Sequence, residues 1–220
     1  MRAHAGRWRV ALIDSCGERE GSIDAAAFLS DGRTVECCPP LADPTGHGSR
    51  IAELLMRDGH VDLLLGQVFL SAGPTSGAAV AAAIDWALAR ETGLVHLSLG
   101  LAENRTVLEA AVARAVESGC IVVGAAPARG APVYPGSYPN VLRASGDARC
   151  APGELSHLAR WHFGGCPRLE SGTGGASVGA AWVTRAIVTE CVPSRASEVV
   201  AALCARAKYV GPETRADRRE

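Results

Sequence analysis

Between Trp8 and Ala144 short runs of aliphatic residues alternate with longer amphipathic segments, and no other feature narrows the possible folds so far. The aliphatic runs are Trp8 to Ile13, Val61 to Leu65 continuing into Gln67-Val68-Phe69, Leu94 to Leu99, Ile121 to Ala126 and Val141 to Ala144. Each is strand-sized and dominated by aliphatic residues rather than by clean alternation, as in a sheet covered on both faces. Between them, Thr75 to Arg90 sets Val80, Ile84 and Leu88 on one helical stripe and meets a stop signal at Gly93. Thr106 to Ser118 carries Leu108, Ala111, Val112 and Ala115 on one face, with Thr106 and Glu109 in capping-box spacing and Gly119 closing the segment. Strand-helix alternation of this kind predicts an α/β fold in three layers, a parallel sheet with right-handed crossovers. Ligands are then expected at the carboxyl ends of its strands.

A chain of 220 residues can build one sizeable core, and no linker or internal repeat divides it. One domain over residues 1–210 is expected, followed by a polar tail over 211–220. Residues 148–170 hold Pro152, Gly164, Gly165 and Pro167 with no sustained period, which predicts a long loop or an irregular hairpin. The 22 basic side chains are balanced by 23 acidic ones, so neither nucleic acid nor an anionic membrane is expected as a partner. No run approaches the roughly 20 apolar residues of a membrane span. The basic stretch Met1 to Arg7 leads into only a short apolar segment before Asp14, too little for a signal peptide. A cytoplasmic setting is expected, with the 8 scattered cysteines mostly reduced.

Three places carry residues suited to chemistry. Asp14 follows directly on the first aliphatic run, at the ligand edge of the expected sheet, although a turn or capping Asp would stand there too. His47 is bracketed by Gly46 and Gly48 ahead of a helix bearing Ile51, Leu54 and Leu55, which predicts a close approach of some group to it. Ser171-Gly172-Thr173-Gly174-Gly175-Ala176-Ser177 leads into an apolar helix running to about Val188. Such a start suits tight helix packing, or amide groups turned to a ligand. Its spacing matches neither G-x-G-x-x-G nor the phosphate loop with Lys, so a nucleotide-binding protein is the weaker reading. Cys150, His157, His162 and Cys166 are zinc-type residues in one segment, but their spacing fits no common zinc module, and no metal or other cofactor is expected.

Taken in order, Asp14, then Gly46-His47-Gly48, then Gly172-Thr173-Gly174-Gly175-Ala176, this chain resembles the subtilisin-like serine peptidase family, whose triad runs Asp, His, Ser. Ala83-Ile84-Asp85-Trp86-Ala87, Val95 to Gly100, Ile121 to Ala126 and Tyr134 to Val141 resemble the intervening segments of that family. The resemblance implies that Asp14 orients the imidazole, that His47 is general base and acid, and that Ser98, Leu99 and Gly100 line the peptide cleft by strand pairing. It also implies a hydrolase acting on a precursor protein or leader peptide. Within the family the chain is most similar to small bacterial peptidases that remove leader peptides from dedicated partners, as in quinohemoprotein amine dehydrogenase maturation.

Two departures stand out. Gly174 occupies the position of the nucleophilic Ser, so the chain as written is expected to be inactive, whether by an engineered substitution or as a natural pseudopeptidase that binds peptides without cutting them. A hydroxymethyl group at position 174 is expected to reach Nε2 of His47. Ser171 and Ser177 read as structural hydroxyls. The Asn that completes the family's oxyanion hole is replaced near Ala128, and Asn104 and Asn140 are the alternatives by residue type.

Overall fold

Neighbouring residues of the first aliphatic run turn to opposite sides of a sheet. In β1 (Trp8–Asp14), Trp8, Val10 and Leu12 enter one buried cluster and Ala11 and Ile13 enter another. The computed structural model, which describes residues 7–169, 172, 174–192 and 194–213, thus has a core on each face of a central sheet.

After β1 come β2 (Ser22–Ser30), β3 (Val35–Cys38), α1 (His47–Met56), β4 (Val61–Gln67), α2 (Gly77–Leu88), β5 (Leu94–Leu97), α3 (Thr106–Glu117), β6 (Ile121–Ala125) and β7 (Leu142–Gly146). They are followed by β8 (Leu155–Ala159), β9 (His162–Gly165), α4 (Ala176–Glu190), α5 (Ala196–Arg206) and β10 (Tyr209–Val210). The strand order is β10-β8-β9-β7-β6-β5-β1-β4-β2-β3. Pairing is parallel except between β2 and β3 and between β8 and β9. Helices α1, α4 and α5 cover one face, α2 and α3 the other. This is the expected three-layer α/β fold. β4 and β5 flank β1, so the connections leaving their carboxyl ends diverge and open a crevice there.

Several local expectations change. Within the segment expected to be a long loop or irregular hairpin, β8 and β9 form an antiparallel hairpin. The capping box read at Thr106 and Glu109 is not formed: Arg105 is the N-cap, without a side-chain cap bond, and Asn104 donates to Glu109 instead. The strands β2 and β3 and the pair α5 and β10 were not foreseen. The alanines of Ser22-Ile-Asp-Ala-Ala-Ala-Phe-Leu-Ser have low strand propensity, and β2 is held by pairing with β4 on one side and β3 on the other. The expected tail is anchored in its described part, for Arg149 donates to the Gly211 carbonyl at 2.8 Å and Arg129 to that of Glu213 at 3.1 Å. The remainder of that tail, 214–220, lies outside the described residues.

Candidate active site

Asp14 ends β1 with 2% of its surface exposed, and its Oδ1 accepts the Ser15 amide at 2.6 Å. His47 opens α1 from the facing side, and its Nδ1 lies 2.9 Å from both carboxylate oxygens, with the hydrogen bond running to Oδ1. The two glycines around His47 have separate reasons. Gly46 holds a left-handed φ of 66° as the N-cap of α1. Gly48 meets the end of β1 so closely that a Cβ would sit 2.3 Å from the Cys16 amide nitrogen. The group whose close approach the glycines signal is therefore the Asp14-Ser15-Cys16 turn, and its proximity brings carboxylate to imidazole.

Three further side chains fix that approach. Ser15 Oγ accepts the Gly48 amide at 2.9 Å. Asp43 accepts the amides of Thr45, Gly46 and Ser49 and the Ser49 hydroxyl, satisfying donors at the start of α1. Burial works against its charge, but the hydrogen bonds from Ser49 and Thr45 outweigh that and hold its carboxyl well below the usual range. Gln67, fully buried at the end of β4, donates to the Ser15 carbonyl at 2.8 Å and accepts the Leu41 amide at 2.8 Å, tying the loop before α1 to β1. A lone glutamine closing the run Val61-Asp-Leu-Leu-Leu-Gly-Gln was the sequence signal for it, since buried polar groups need partners.

The hydrogen bond to Asp14 raises the pKa of His47 above its ordinary value, against the opposing effect of burial. A histidine with a raised pKa contributes stability that is complete below its unfolded value of about 6.5 and is lost as the pH climbs through the folded value. The thermal midpoint of the protein relative to His47→Gln is therefore expected to fall as the pH rises from about 6.5 through the raised folded-state value. A pH-independent difference would contradict the ion-paired geometry.

Asp14, His47 and Ser98 line one cavity of about 280 Å³, together with Thr45, Phe69 and Ser71. Leu99, Gly100 and Gly174 are not among its lining residues. Leu99 is buried and Gly100 exposed on the segment that continues β5, where Leu101 then pairs with Tyr134. The Ser98 carbonyl accepts the Ser177 hydroxyl from the first turn of α4 at 3.0 Å, giving Ser177 a structural contact. Ser171 lies outside the described residues, as does Thr173.

Gly174 is exposed, just before the α4 N-cap Gly175, and forms a bridge with Arg168. A Cβ placed on it would lie 2.3 Å from the Pro167 carbonyl oxygen. A side chain at 174 thus requires a shift of the backbone on one side of that contact. Ala128 is exposed beyond β6. Of the two asparagines weighed for the missing oxyanion donor, Asn104 is already engaged, accepting from Tyr138 and donating to Glu109. Asn140 is exposed with a φ of 61°. Among the described residues no group of three or more His, Cys, Asp or Glu is placed to hold a metal. His162 hydrogen-bonds Ser145, and the Cys150 thiol points to the Gly164 carbonyl. No helix among them is long and apolar enough to cross a membrane.

No protein-family model matches the chain. In sequence it is 26% identical over 226 residues to the minor extracellular protease Epr of Bacillus subtilis (strain 168), covering 96% of this chain and 34% of that protein. It is 28% identical over 212 residues to a thermostable alkaline protease of Halalkalibacterium halodurans, covering 91% of this chain and 56% of the relative. The chain therefore spans between a third and just over half of these curated relatives. In fold it is similar to the prenylagaramide maturation protease PagA, with a TM-score of 0.63 at 16% identity over 91% of this chain and 83% of that one. It is similar also to a cold-adapted subtilisin-like serine proteinase, with a TM-score of 0.64 at 15% identity over 92% and 85% of the two chains. In sequence the chain is thus similar to these proteases, and its three-layer fold is that of subtilisin-like serine proteinases.

Proposed function

We propose that this chain is a subtilisin-type serine endopeptidase of the maturation kind, acting on a precursor protein or leader peptide, with Gly174 at the position of its nucleophile. In the form written here it holds its partner without hydrolysing it. The observation that carries the reading is the contact of Nδ1 of His47 with Asp14 at 2.9 Å beside an open cavity. A carboxylate that fixes Nδ1 leaves Nε2 directed elsewhere as the proton acceptor for a nucleophile, and stabilises the imidazolium that results. Residues 1–210 would then be the peptidase domain. The maturation role draws support from PagA, a maturation protease of the same fold.

Recognition would use Ser98, Leu99 and Gly100, where an extended peptide pairs with the segment that runs on beyond the end of β5. Chemistry and affinity are separable there, because strand pairing needs no nucleophilic hydroxyl. The Gly174 protein is expected to bind a leader-containing precursor, and Gly100→Trp to weaken that binding at least tenfold in a calorimetric titration, equivalent to about 1.4 kcal/mol. Equal affinity of the two proteins would move the partner away from this cleft.

A second reading is favoured by the crowding at position 174. A turn in which a Cβ would meet a backbone oxygen at 2.3 Å suits a glycine of long standing, hence a binding module that keeps the cleft and not the reaction. The two readings divide on what a serine at this position does.

A further inference from the structure

His96 sits in the middle of β5 with none of its surface exposed, and both ring nitrogens are taken by hydroxyls: Nδ1 lies 2.8 Å from Thr184 Oγ1 on α4, and Nε2 lies 2.7 Å from Ser98 Oγ. Burial, helped by the nearby charge of His47, pushes its pKa down to about 3, so the ring is neutral and carries a single N–H. Two hydrogen arrangements fit those distances. If Nδ1 carries the hydrogen, it donates to Thr184, and the hydroxyl hydrogen of Thr184 has no acceptor. Thr184 is fully buried, and His96 is the only hydrogen-bond partner of its hydroxyl among the described residues. If instead Thr184 donates to Nδ1, the N–H sits on Nε2 and donates to Ser98 Oγ. The one hydrogen then left over belongs to Ser98, which lines the cavity shared with Asp14 and His47. A buried polar chain is most stable when every internal donor is used, which selects the second arrangement.

We propose that Ser98 presents its hydroxyl hydrogen to the cleft, donated to a carbonyl oxygen of the bound peptide, and that His96 and Thr184 are positioning residues that fix it as a donor. The proposal rests on the peptide-cleft reading for its ligand, while the direction of the hydrogen bonds stands independently of it. In this direction Ser98 Oγ already accepts from Nε2, which polarises its own O–H and makes it the stronger donor. It thereby supplies a donor to a cleft in which the family's asparagine is absent at Ala128.

The tautomer is read directly from two-bond nitrogen–proton correlation spectra of the full chain labelled with nitrogen-15 in histidine, the His96 signals being those lost in His96→Asn. The expected result is an Nε2-protonated ring with an unprotonated Nδ1, unchanged down to about pH 5, since the site stays neutral well above its lowered pKa. An Nδ1-protonated ring would overturn the proposal whatever the protein binds. The second arm titrates acetyl-tetra-alanine amide at millimolar concentration into the chain and into Ser98→Ala. A fivefold or greater loss of affinity, together with a shift of the His96 Nε2 signal on peptide addition to the parent, is expected. Equal affinities would overturn the donor role alone. No binding to either protein would overturn the peptide-cleft reading and the peptide ligand with it, an outcome distinguishable from the wrong tautomer.

Discussion

Gly174→Ser is expected to raise cleavage of a leader-containing precursor by about 10³ to 10⁴ over the parent chain, as followed by mass spectrometry of the co-expressed pair. Losing the serine of a subtilisin-type triad costs about 10⁶ in turnover. Recovery falls short of that because, on the proposed reading, the oxyanion asparagine is replaced near Ala128, and loss of one such donor costs about 10² to 10³. The substitution also has a structural cost. Its Cβ meets the Pro167 carbonyl oxygen at 2.3 Å, so the turn or the segment holding Pro167 and Arg168 must move. A loss of about 1–3 kcal/mol in unfolding free energy is expected from overpacking of this kind. A folded Gly174→Ser protein that stays inert towards its precursor would favour the binding module.

The second large effect concerns Asp14. In the Gly174→Ser background, Asp14→Asn is expected to lower cleavage by about 10⁴ while leaving precursor affinity within about twofold. Asn at this position keeps the shape but turns an acceptor of the Nδ1–H into an amide that can favour the wrong imidazole tautomer. The buried carboxylate contacts His47 and the Ser15 amide and takes no part in the strand of the cleft, so binding should not follow activity. A parallel loss of affinity and turnover would make Asp14 a structural anchor of the β1 turn in place of an orienting group.

Strands β1, β4, β5 and β6 and helices α2 and α3 were legible because burial on both sheet faces demands uninterrupted aliphatic residues, and one-sided helices demand a stripe. The edge elements escaped this logic. β2 is half exposed and alanine-rich, and its conformation comes from pairing with β4, which no local pattern encodes. Asp14 and His47 were legible as residue types at strand and helix ends, and the structure brings them into contact. What the sequence did not yield is the set of groups that hold them there. Asp43 and Gln67 act through backbone amides and carbonyls of a loop whose path depends on the whole sheet edge. The glycine at 46 was readable as a conformational need, but that at 48 reflects the closeness of a strand end about thirty residues earlier in the chain. His96 was hidden because Leu94-Val-His-Leu reads as one more buried strand, and only the facing Thr184 of α4, 88 residues on, explains why an imidazole is tolerated there.

The claim that Asp14 and His47 serve a nucleophile at position 174 is tested most directly by a fluorophosphonate, whose phosphorus is attacked by an activated serine hydroxyl with loss of fluoride and transfer of the proton to His47 Nε2. Intact-mass and peptide mapping of the parent, of Gly174→Ser and of Gly174→Ser with His47→Ala are the whole experiment. The account predicts one phosphonyl adduct, located at position 174, in Gly174→Ser alone, with no adduct in the parent or in the protein lacking His47. Folded Gly174→Ser protein that remains unmodified, or an adduct that persists without His47, would contradict it.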